Sequence, residues 1–64
     1  MELKDKLKIL RTARNLTQEE MAEYLGISAQ TVSKWERGLS APDIMLLPKI
    51  ALLCQCSIDS LFDM

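Results

Sequence analysis

Gln30 and Lys34, about one helical turn apart, are the side chains of this sequence best equipped for chemistry, with Ala29 and Ser33 beside them. A glutamine amide sets a donor and an acceptor side by side, which matches adenine N6 and N7. A lysine ammonium can donate to guanine O6 and N7, and the Ala29 methyl can touch the methyl of thymine. Gln18 is a phosphate candidate, together with the free N–H groups of a helix start. The chemistry implied is hydrogen bonding to nucleic acid. A merely solvated helix face is the competing reading, and the spacing of Gln30 and Lys34 alone does not separate the two.

Bond-breaking chemistry has no comparable support. There is no histidine, and both glycines read as helix stops, which leaves no phosphate-cradling loop. Serines, threonines and carboxylates stand at cap-like positions. Cys54 and Cys56 are two residues apart, a separation that rarely closes into an unstrained disulfide. With no second cysteine pair they do not make a zinc site. They read as reduced, structural thiols, with a redox switch as the lesser alternative. The expectation is a non-enzyme with no cofactor, no metal and no small-molecule ligand.

Two short helices must hold those side chains. The run Thr17 to Gly38, TQEEMAEYLGISAQTVSKWERG, supplies them. Thr17 and Glu20 form a capping box at the start of one. Met21, Ala22 and Leu25 face inward, Ala22 where the helices cross closely. Gly26 follows where the chain must turn and a positive φ is cheapest. Ser28 caps the next helix, which runs to about Arg37 and is stopped by Gly38; Ile27, Val32 and Trp35 give it an apolar face. This is a helix-turn-helix pattern over about 17–38, with a recognition helix over about 28–37 that would enter the major groove.

Around it the spacing predicts an all-helical chain of five helices forming one domain over 1–64. Leu3, Leu7, Leu10 and Ala13 recur at helical spacing in the first, which should stop near Arg14 with Asn15 left-handed. Pro48 fits the first position of a helix, so an irregular turn over 43–46 and a helix over 47–54 are expected. A short last helix should cover 58–62 after Ser57. Trp35 should pack inward against Pro42 or Leu39. Arg11 follows core Leu10 and Glu36 follows Trp35, so an ion pair at the edge of the core is expected between them.

The net charge is −1, from 8 basic and 9 acidic residues. Glu19, Glu20 and Glu23 share one helix, while Lys34 and Arg37 supply a thin basic face, so binding should be modest per domain and salt-dependent. No run approaches the ~20 apolar residues of a membrane span. The charged start, MELKDKLK, is no secretory signal. No membrane association and a cytoplasmic location are the expectations.

The run from Leu16 to Gly38, with PDIMLLPKIA and CSIDSLF after it, resembles the Cro/repressor-like (xenobiotic-response-element) helix-turn-helix family. The resemblance covers about Leu7 to Phe62. It implies a compact, lambda-repressor-like bundle of five helices that binds double-stranded operator DNA, usually as a dimer. It also implies base-reading or groove-lining positions for Ala29, Gln30, Ser33 and Lys34. Backbone contacts are implied for Gln18 and Arg37 to Ser40, with Ser28 and Thr31 added to that set. Departures from the pattern are informative. Ala29 replaces a longer polar side chain and Leu39 a frequent lysine. Gln55 stands where glycine or asparagine is usual, so a left-handed backbone is expected there. Cys54 and Cys56 replace apolar core residues.

Apolar residues at Ile9, Met45 and Leu52, where the family usually has charge, and Leu61, Phe62 and Met64 near the end exceed what a small core needs. A homodimer built on Met45, Leu52, Ile58, Leu61, Phe62 and Met64 is the expectation. The leading functional reading is a sequence-specific transcriptional regulator acting as a repressor. The alternatives are a protein-interaction module, such as an antitoxin-like domain, and the DNA-binding piece of a longer regulator.

Overall fold

A computed structural model describes residues 2–56, and every element in that range is helical. In chain order these are α1 (Leu3–Ala13), α2 (Gln18–Leu25), α3 (Ala29–Glu36), a 3-10 turn (Ile44–Leu46) and α4 (Leu47–Cys54). The expected five-helix count is therefore corrected to four α-helices among the described residues. The segment expected to form the fifth, 58–62, lies outside them.

Each helix gives one side chain to the centre of the core: Leu7, Met21, Val32 and Ile50 are all less than 2% exposed. Burying each stabilises the fold by roughly 1.5–3 kcal/mol. Ala22, Leu25, Trp35, Leu47, Ala51 and Cys54 close around them.

The helix ends follow from local chemistry. In α1 the buried stripe runs from Leu7 to Arg11, one turn on, while Ala13 is exposed. Ala13, expected at the end of that stripe, instead faces solvent, and the buried face of α1 leans toward Arg11 on its other flank. Asn15 takes φ 58° beyond the end of α1. At the start of α2, Thr17 Oγ1 accepts from the Glu20 amide at 3.0 Å and Glu20 Oε1 accepts from the Thr17 amide at 2.8 Å. The capping box satisfies two N–H groups that the helix itself cannot. Gly26 ends α2 at φ 74°, a conformation in which a Cβ is strained.

Pro48 is the second residue of α4 rather than the first expected. The second N–H of a helix has no partner within it either, so proline costs nothing there. The 3-10 turn before it is capped by Asp43, whose Oδ1 accepts from the Met45 amide at 3.0 Å. Gln55 ends α4 in the left-handed region at φ 55°, and its side-chain oxygen accepts from Arg14 Nη1 at 2.9 Å. Cys54 is buried and Cys56 only half-buried, and both are free thiols. Cys56 is thus less enclosed than a core replacement would be, because it lies beyond the left-handed residue that ends the helix. Among the described residues no helix is long and apolar enough to cross a membrane.

Candidate nucleic-acid interface

α3 is fixed by its inner face. Val32 and Trp35 are buried, and Ser28 Oγ caps the first turn by accepting from the Thr31 amide at 3.2 Å. Gln30 and Lys34 consequently point to solvent, both exposed. Ala29, Thr31 and Ser33 are half-buried between the two faces. Ala29 packs partly against the core, so less of its methyl is free than the sequence suggested. The Thr31 and Ser28 hydroxyls lie 3.0 Å apart.

Arg37 is the residue that closes α3. Its side chain folds back along the helix, and Nε donates to Ser33 Oγ at 3.2 Å. Ser40 is exposed in the loop that follows. In that loop Leu39 is 65% exposed. Pro42 lines a shallow cleft with Trp35, Leu3 and Leu7.

The buried Arg11 joins α1 to α3. Its Nε donates to Glu36 Oε2 at 2.7 Å and its Nη2 to Glu36 Oε1 at 3.0 Å, a two-pronged pair. Nη1 donates to the Leu16 carbonyl at 2.6 Å. The hydrogen bond to Glu36 raises the Arg11 pKa further above its already high ordinary value, against the opposing effect of burial. Gln18 joins the same cluster, since its Nε2 donates to Glu36 Oε1 at 3.1 Å. That contact was not anticipated, and no local pattern announces it between residues 18 positions apart. The Arg37–Ser33 contact was missed as well, although its i, i+4 spacing is a usable signal.

Elsewhere Met45 is 79% and Leu52 71% exposed, with Ile44, not among the expected apolar contacts, at 75%. Ile58, Leu61, Phe62 and Met64, named with Met45 and Leu52, lie outside the described residues. Among the described residues there is no cluster of metal-ligating side chains.

Residues 7–61 match the helix-turn-helix family model. The chain belongs to the helix-turn-helix family. The activator BcrR of Enterococcus faecalis, an HTH-type transcriptional regulator, is 44% identical over 61 residues, 95% of this chain and 30% of BcrR. The CTXphi transcriptional repressor RstR of Vibrio cholerae is 41% identical over 61 residues, 95% of this chain and 54% of RstR. The chain thus spans about a third to a half of these relatives' length. The P22 c2 repressor, solved with a synthetic operator, superposes with a TM-score of 0.88 over 95% of this chain and 92% of that one. At 24% identity that likeness establishes the Cro/repressor-like fold. Both curated relatives are transcription regulators, one named as an activator and the other as a repressor.

Proposed function

We propose that the chain binds operator DNA sequence-specifically, laying α3 in the major groove, and represses transcription by occupying the site. One observation carries this reading: Gln30 and Lys34 share the solvent face of α3 while Val32 and Trp35 anchor the opposite face. Two side chains able to read base edges then project from a helix whose orientation the core fixes. Ala29 and Ser33 line the groove. Gln18, Ser28, Thr31, Arg37 and Ser40 position the phosphate backbone and carry no sequence information.

A second copy completes the interface. One module reaches few base edges, and two related by a two-fold axis would set their recognition helices about 34 Å apart, one turn of duplex. Exposed Met45 and Leu52, with Ile44 beside Met45, supply an apolar patch for this contact. The part of the patch assigned to Ile58, Leu61, Phe62 and Met64 is inferred from sequence. The protein acts in the cytoplasm, where its DNA is. A longer regulator carrying this chain as its DNA-binding piece would use the same face.

The apolar exposure also favours a second reading, a protein-interaction module. Selection of binding sites from random DNA, repeated with Gln30→Ala/Lys34→Ala, separates the two. Recovery of a defined sequence that the double variant no longer retains supports the operator reading. No enrichment by the parent chain overturns it.

A further inference from the structure

We propose that Glu36 is a positioning residue for DNA binding, acting through Gln18; the proposal rests on the operator reading above. Glu36 is the last residue of α3, with its side chain only 4% exposed. Its Oε1 accepts from two donors at once, Arg11 Nη2 at 3.0 Å and Gln18 Nε2 at 3.1 Å. One carboxylate therefore ties the first residue of α2 to the last residue of α3 and to α1.

The chemistry of the amide gives this tie a direction. A glutamine NH2 carries two N–H groups, and an ionised carboxylate can only accept. Glu36 therefore fixes which end of the Gln18 amide faces it, and one N–H remains for a phosphate oxygen. A glutamine free at a helix start would present donor and acceptor in turn, and would lose more rotamer freedom on binding. Arg11 makes the arrangement tolerable for DNA. Its guanidinium offsets the Glu36 charge, which unpaired would repel a phosphate bound through Gln18. It also holds the Leu16 carbonyl, two residues ahead of Gln18.

The test uses the full chain and a duplex that the chain selects from random DNA. Gln18→Ala is introduced into the parent and into Arg11→Met/Glu36→Met, which removes both buried charges together. The expected result is a loss of roughly tenfold for Gln18→Ala in the parent. A similar loss is expected for the double variant, with almost no further loss when Gln18→Ala is added to it. Replacing phosphates singly by methylphosphonate gives a readout that a purely structural role would not move. One position per half-site should weaken the parent and become silent in both Gln18→Ala and Arg11→Met/Glu36→Met. Equal tenfold losses for Gln18→Ala in both backgrounds would overturn the proposal. So would no loss in the parent, even with Gln30→Ala relaxing specificity and the operator reading intact. Failure of the parent to select any duplex removes both. If the double variant does not fold, the side-chain amide of Gln18 in the parent decides by NMR. Rigidity like the backbone, with and without DNA, supports the proposal; mobility like that of exposed Gln30 overturns it.

Discussion

Arg37 Nε lies 3.2 Å from Ser33 Oγ, one turn back along α3, so two side chains of the candidate interface are held by each other. The bond leaves the outer guanidinium nitrogens of Arg37 free while its base is restrained. Arg37→Ala should weaken binding by a similar factor on operator and random DNA and make the salt dependence shallower by about one ion. Gln30→Ala should instead relax sequence preference, by about 1–3 kcal/mol at one base position. Binding titrations on both DNAs at several salt concentrations check the pair of outcomes.

Breaking the Arg11–Glu36 pair from one side should be severe. Glu36→Ala leaves a buried guanidinium without its carboxylate, which costs about 3–5 kcal/mol. A domain of this size has roughly 3–10 kcal/mol in total. The variant should be largely unfolded or close to it by circular dichroism, while Arg11→Met/Glu36→Met keeps a cooperative transition.

Gly26 and Gly38 test backbone strain separately from space. Both have positive φ, 74° and 77°. A Cβ at Gly26 would meet nothing within 4 Å, whereas one at Gly38 would lie 2.9 Å from Lys4 Cδ. Each alanine variant should lose about 1–2 kcal/mol through φ alone. Because the Lys4 chain can move aside, Lys4→Ala should restore little of the loss at Gly38. Urea unfolding of the four proteins measures this.

The thiols should differ in reactivity and in their effect on stability. Burial, reinforced by Cys56, holds the Cys54 pKa above its ordinary value, with Arg14 opposing. Native protein should therefore be alkylated at Cys56 well before Cys54. A raised folded-state pKa favours the protonated thiol, so this contribution is complete below the unfolded value near 8.5 and is lost as pH rises above it. Cys54→Val should flatten the fall in stability as the pH rises above about 8.5.

Much of this architecture is written locally in the sequence. Thr17 and Glu20 announce the start of α2, Gly26 its end, Ser28 the start of α3, and Pro48 the late start of α4, because caps and turns depend on residues a few positions apart. The left-handed Gln55 was legible only through resemblance, since glutamine has no intrinsic preference for it. Arg11–Glu36 could be anticipated because each follows a core residue. The Gln18–Glu36 contact could not, because it depends on how long side chains settle once three helices have packed. The exposure of Ala13 has a related cause: spacing marks a stripe of positions but not which flank of it the core covers, and a paired arginine, Arg11, draws the buried face of α1 to the flank away from Ala13.

The lone tryptophan of the chain, Trp35, lies in α3 with its ring turned inward, 3% exposed. Its emission should accordingly be blue-shifted in the folded state and move to the red on unfolding. With α3 docked as proposed, base stacking cannot quench an indole on its buried face. A fluorescence change on adding DNA would therefore signal a shift of α3 against the core, and constant emission would mean that the helix docks as a rigid part. The protein thus carries a built-in optical probe that separates binding by a preformed surface from binding by rearrangement.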